Sequence, residues 1–172
     1  MYINFVPNKL VNFVIWFGST LLFVVIGFFF LLVLKRNNIV SDFNITKREE
    51  RPMFFFPLLV LLLALTFLNF VWGWNEVANY LAFMTFTYAV AFTITLFFKI
   101  SIHVLSVTLT YLLAVLAFKN ILVFLLFPLP IITGWTRWHL KKHTMPEIMA
   151  GLGLPMILTI LWVLITLDVT TL

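Results

Sequence analysis

The chain has 172 residues, 63% of them hydrophobic and 10% charged, with a mean hydropathy of +1.14. A soluble domain of this size has no interior able to hide that much apolar surface, so the composition describes an all-α integral membrane protein folded as one domain over residues 1–172. The absence of cysteine excludes a disulfide framework and a thiolate metal site, and the net charge of +5 points, in a membrane chain, to anionic headgroups and phosphates rather than to nucleic acid.

A helix of roughly 20 apolar residues crosses the hydrocarbon core. Six stretches of the chain predict such spans. The first covers about Leu10 to Leu34 without a charge; it is too long for a cleaved signal peptide and ends at Lys35-Arg36 without a cleavage pattern, so it is expected to stay attached. The second runs from Pro52 to about Trp72, and the third from about Val77 to Phe98. The fourth, about Ser101 to Phe118, holds His103 near its start. The fifth, Asn120 to about Gly134, is short and carries Pro128 and Pro130, read as a kink. The sixth, Ile148 to Leu167, carries Pro155. Between the first two spans, Asn44-Ile45-Thr46 fits a glycosylation sequon. The tryptophans mostly mark span ends, and Gly151 and Gly153 suit close packing of the sixth helix on a neighbour.

Six spans place both termini on one side, and the loops after spans one, three and five on the other. Those loops hold Lys35, Arg36, Lys47, Arg48, Arg51, Lys99, Arg137, Lys141 and Lys142, nine of the 11 Lys and Arg residues. Three segments distant in sequence therefore converge on one face, as an active site requires.

The last of these loops is the richest. Arg137 stands six residues before His143, and Glu147 four after it. A phosphate-handling site needs a fixed cation, a nucleophilic imidazole and a carboxylate that orients it. Thr144-Met145-Pro146-Glu147 also reads as a capping box that starts the sixth helix. His143 precedes a helix N-terminus, where free N–H groups favour a phosphate and disfavour imidazolium. In Ser101-Ile102-His103, the second imidazole suits protonation of a leaving oxygen and the hydroxyl suits a phosphate oxygen. The bland alternative for His103 is an interfacial histidine bonded to a carbonyl. In Thr46 to Pro52, the residues Arg48, Glu49 and Glu50 read as a solvated turn. Arg51 is fixed by Pro52 at the membrane surface, where a guanidinium can fork onto a phosphate.

In this order the motifs resemble the type 2 phosphatidic acid phosphatase superfamily, which includes bacterial acid phosphatases and vanadium haloperoxidases. That family carries K-x-x-x-x-x-x-R-P, then P-S-G-H, then S-R-x-x-x-x-x-H-x-x-x-D. The third motif stands here as Thr136-Arg137, five residues, His143, three residues, Glu147. The second is reduced to Ile100-Ser101-Ile102-His103. The first keeps Arg51-Pro52 but has Asn44 at its lysine position, with Lys47 the nearest substitute.

The resemblance implies an acid phosphatase/haloperoxidase-like membrane bundle that hydrolyses a lipid phosphate or diphosphate through a phosphohistidine, with no cofactor and no metal. His143 would attack phosphorus, His103 would protonate the leaving group and Glu147 would orient His143. Arg51, Arg137, Ser101 and Lys47 would bind phosphate oxygens. Two alternatives stand beside it. One is a weak or inactive relative that binds anionic lipid or a membrane partner. The other is an aspartate-rich prenyltransferase, for which Asp42, Glu49 and Glu50 supply one poor acidic motif and no second. The expected location is the cell membrane. The cation count puts the motif face in the cytoplasm, whereas the resemblance favours the outer face, and the reading adopted follows the resemblance.

Overall fold

A computed structural model describes residues 9–45, 47–118 and 121–171, with side chains described at all of these except 9, 10, 12, 13, 122 and 166–171. Among the described residues the chain forms six α-helices and two short 3₁₀ segments, with no strand. The helices are α1 (Lys9–Arg36), α2 (Arg51–Val71), α3 (Asn75–Thr95), α4 (Ile102–Phe118), α5 (Pro128–His139) and α6 (Met145–Thr171). They divide between two compact units, Phe5–Phe97 and Phe98–Leu172.

Four segments are long and apolar enough to cross a membrane: Val14–Arg36, Arg48–Val71, Asn75–Thr95 and Met145–Ile165. The protein is therefore a membrane protein by the length and composition of its helices. The count differs from the six expected spans at α4 and α5. α4 is apolar and has 17 residues, at the lower end of the roughly 17–25 that cross a hydrocarbon core, and residues 119 and 120, which follow it, lie outside those described. The expected fifth span is not one helix: Ile121–Leu126 is 3₁₀, and α5 begins afresh at Pro128. Proline lacks the N–H that a first-turn residue leaves unpaired anyway, so Pro128 starts a helix rather than kinking one. The sequon's Thr46 lies outside the described residues.

In the first unit α3 is the most deeply packed helix, burying Val77, Leu81, Phe83, Met84 and Ala91 against α1 and α2. Two of its buried threonines are satisfied locally. Thr85 and Thr87 donate to the carbonyls of Leu81 and Phe83, and Asn69 of α2 donates to that of Leu65. An unpaired polar group in lipid costs several kcal/mol, so such back-bonding is what makes these residues tolerable there. The outward faces carry exposed apolar side chains such as Phe28, Phe29, Phe67 and Phe70, a surface suited to acyl chains.

In the second unit α4 packs on α6 and α5. Glycine sets the spacing: a Cβ added at Gly151 of α6 would lie 2.8 Å from the Ser101 carbonyl oxygen and 3.2 Å from Val104 Cβ. A Cβ at Gly134 of α5 would lie 3.0 Å from Ile148 Cγ2, whereas one at Gly153 would meet nothing within 4 Å. Close approach thus belongs to Gly151 and Gly134, and not to Gly153.

Candidate functional site

The site grows from the turn between α5 and α6, in the second unit. α5 ends in a Schellman motif. The Lys141 N–H donates to the Trp138 carbonyl (2.9 Å) and the Lys142 N–H to the Arg137 carbonyl (3.0 Å). Lys141 takes the left-handed conformation, φ +52°, where glycine is the usual residue. The His143 N–H also donates to the Arg137 carbonyl, at 3.3 Å. The five residues between Arg137 and His143 are thus those needed to end one helix, reverse the chain and present an imidazole before the next helix. Thr136 of the same motif turns its hydroxyl back onto the Ile132 carbonyl.

α6 begins at Met145, which makes Thr144 its N-cap and Glu147 its third residue. Glu147 Oε2 accepts the Thr144 N–H at 3.2 Å, one half of a capping box. The same oxygen lies 2.8 Å from His143 Nδ1. With a carboxylate as acceptor, Nδ1 carries the proton and Nε2 keeps its lone pair, the tautomer a nucleophile requires. Both side chains are largely withdrawn from solvent, with exposures of 8% and 15%. Burial holds the His143 pKa below its ordinary value; the Glu147 bond opposes this and the nearby Lys99 charge adds to it. The imidazole is therefore neutral at neutral pH.

His103, in the first turn of α4, lies within electrostatic range of both Arg137 and His143. Ser101 caps α4: its carbonyl accepts the Leu105 N–H (3.0 Å) and its N–H donates to the Glu147 carbonyl (3.1 Å). Ser101 is fully buried, and its hydroxyl has no hydrogen-bond partner among the described residues. In this state that hydroxyl is closed to a phosphate from solvent, and what Ser101 does is tie α4 to the start of α6.

Lys99 was missed from the motifs because it belongs to none of them. Its Nζ donates to the Lys142 carbonyl at 3.0 Å and stands 3.9 Å from Glu147 Oε2. With Trp138, Lys141, Lys142, His143 and Glu147 it lines a cavity of about 420 Å³. One carboxylate faces three ammonium groups there, so the cavity is cationic and suits an anion. His139 stacks on Trp135 instead, ring centroids 5.1 Å apart.

The other two expected residues belong to the first unit. Arg51 opens α2, is 6% exposed, and donates from Nη1 to the Thr95 carbonyl (2.8 Å) at the end of α3. A guanidinium at a helix C-terminus binds its last carbonyls and complements the dipole. Lys47 is largely exposed and pairs with Glu50 at 3.6 Å. The nearby acids fold their own loop: Glu50 Oε2 accepts the Ser41 N–H and hydroxyl, and Asp42 Oδ1 accepts the Asn44 N–H. Among the described residues no three His, Asp or Glu side chains group as a metal site would require.

No protein-family model matches the chain, and no curated protein or solved structure matches it either.

Proposed function

We propose that the protein is a membrane phosphatase of the type 2 phosphatidic acid phosphatase kind, acting on a lipid phosphate or diphosphate through a phosphohistidine. The observation that carries this reading is the His143 Nδ1–Glu147 Oε2 pair at 2.8 Å. It sits in a cationic cavity, with His103 and Arg137 in electrostatic range. In the proposed reaction the His143 Nε2 lone pair forms a bond to phosphorus while the bond from phosphorus to the leaving oxygen breaks. Positive charge develops on His143, where Glu147 stabilises it through Nδ1–H. Burial and the neighbouring Arg137 and His143 disfavour a charged His103, so it takes up its proton together with the anionic phosphate; it then gives that proton to the leaving oxygen and, neutral again, takes one from the water that attacks the phosphohistidine. Cleavage of the N–P bond frees inorganic phosphate and restores His143. Arg137 balances the charge spread over the phosphoryl oxygens. Roles for Arg51 and Lys47 on the same phosphate rest on the resemblance alone.

A second reading, a non-catalytic relative that binds anionic lipid, draws on the first motif. Asn44 replaces its lysine, Lys47 is engaged with Glu50, and Arg51 with the end of α3. Detergent-solubilised protein given a short-chain phosphatidate or farnesyl diphosphate, with a chelator present, separates the two. Phosphatase activity predicts phosphate release that His143→Ala lowers by several orders of magnitude, since no neighbour replaces the nucleophile. Binding of anionic vesicles without release by the wild-type protein would leave the second reading.

A further inference from the structure

We propose that Lys99 is a phosphate-binding residue of this site: its ammonium, held by the Lys142 carbonyl at 3.0 Å and 3.9 Å from Glu147 Oε2, turns to a phosphate beside His143. The inference rests on the phosphate-site reading above, and adds a residue that none of its motifs contains.

The backbone argument comes first. Ser101 N–H is bonded to the Glu147 carbonyl, and the α4–α6 approach at Gly151 is too close for any side chain. Ile100 is 3% exposed. The chain just before α4 is therefore fixed along the start of α6, and Lys99 leaves it one residue upstream of a buried anchor. Its position is set by packing rather than by a mobile loop.

The side-chain argument follows. The ammonium is held by one good hydrogen bond, to the Lys142 carbonyl at 3.0 Å. Its distance of 3.9 Å from Glu147 Oε2 is too long for a hydrogen bond. That oxygen is already engaged by His143 Nδ1 at 2.8 Å and the Thr144 N–H at 3.2 Å. Lys99 is thus the weakest of three claimants on one carboxylate oxygen. An ammonium has three donors, and among the described residues only one is used. A partly exposed ion pair of this length is worth little, so leaving it costs little. A phosphate oxyanion beside His143 offers a full charge and an unshared acceptor. The flexible stem lets the ammonium follow it as a point charge.

The position also answers a deficit. The resemblance expects a lysine in the first motif, where this chain has Asn44. Lys99 supplies an ammonium to the cavity from a different segment.

Inorganic phosphate is the probe, titrated into the full-length protein in detergent by calorimetry and used as an inhibitor of lipid phosphate hydrolysis. Lys99→Met keeps the apolar stem and removes the charge. Loss of one charge-assisted contact predicts about tenfold weaker phosphate binding, a flatter salt dependence, and a larger effect on KM than on kcat. It also removes a cation that disfavours imidazolium at His143, so the acid limb of activity moves to higher pH. Lys99→Arg retains the charge and should bind phosphate within about threefold of wild type, which guards against a folding defect in Lys99→Met. Arg36→Gln, at the end of α1, is the control for net charge. Unchanged phosphate affinity and KM in a folded Lys99→Met protein overturn the proposal even if lipid phosphate is hydrolysed. Lys99-dependent phosphate binding by a protein that hydrolyses no lipid phosphate upholds it while the phosphatase reading fails. A wild-type protein that binds no phosphate overturns it as well.

Discussion

Glu147 Oε2 serves the α6 cap and the His143 imidazole at once, and replacing the carboxylate separates these duties. Glu147→Gln keeps a carbonyl oxygen for the Thr144 N–H and the His143 Nδ1–H, so stability should fall by no more than about 1 kcal/mol. It loses the negative charge that stabilises imidazolium, and turnover should fall by about two orders of magnitude. The pH profile should move as well. Burial, Lys99 and Arg137 all hold His143 below its ordinary pKa, and Glu147 opposes them. With the carboxylate gone the depressing influences act alone, so His143 stays neutral to lower pH and the acid limb shifts downward. In the wild-type protein that limb already lies below about pH 6.5, the ordinary histidine value. Turnover and acid limb unchanged in Glu147→Gln would reduce Glu147 to a helix cap. This carboxylate was legible in the sequence because it stands three residues after Thr144, the spacing of a capping box, and four after His143, one helical turn. Lys99 was not, because its place depends on the Ser101–Glu147 backbone bond, a tertiary contact that no local spacing encodes.

At the scale of the elements, the α5–α6 junction is built from two features with opposite tolerance. Lys141 occupies a left-handed position at φ +52°, which costs a residue with a Cβ roughly 1 kcal/mol relative to glycine. Lys141→Gly should therefore raise the thermal midpoint in detergent by a few degrees, and a lowered midpoint would mean that the Lys141 side chain contributes more than its backbone costs. Gly151 is the reverse case. Gly151→Ala would place its Cβ 2.8 Å from the Ser101 carbonyl oxygen, a backbone atom that cannot swing aside. α4 and α6 must part, with a cost of about 1–3 kcal/mol, and the Ser101–Glu147 bond that sets the site lengthens. Activity should fall with stability in this variant, in contrast to Glu147→Gln, and a wild-type midpoint with wild-type activity would show that the junction relaxes freely. The sequence announced α6 through its cap but concealed the start of α5. In the uniformly apolar run 121–134, periodicity cannot tell a 3₁₀ turn from an α-helix, and a proline reads alike as a kink within a span or as the first residue of a new helix.

At the scale of the whole molecule, apolar length identified α1, α2, α3 and α6 as membrane-spanning segments in both sequence and structure. α4, with 17 residues, and α5, with 12, are shorter than that test requires among the described residues. Charge asymmetry supplies the remaining argument, and it pulls against the resemblance. Nine of 11 Lys and Arg residues lie in the loops that carry the motifs, which by the positive-inside tendency are cytoplasmic. That tendency counts cations that act on topology, whereas in the proposed reading Arg137 and Lys141, and by the resemblance alone Lys47 and Arg51, are set aside as phosphate ligands. Without them the count is five against two, a weaker bias. The proposed orientation follows the resemblance and places the site on the outer face, and it is tested by access to substrate rather than by charge. A short-chain, membrane-impermeant lipid phosphate added to intact cells expressing the protein should be hydrolysed at once. Permeabilisation should raise the rate less than about twofold, and His143→Ala should abolish it. Activity that stays latent until the membrane is opened would put His143 on the cytoplasmic side. The loop cations would then be read as topology signals first and phosphate ligands second.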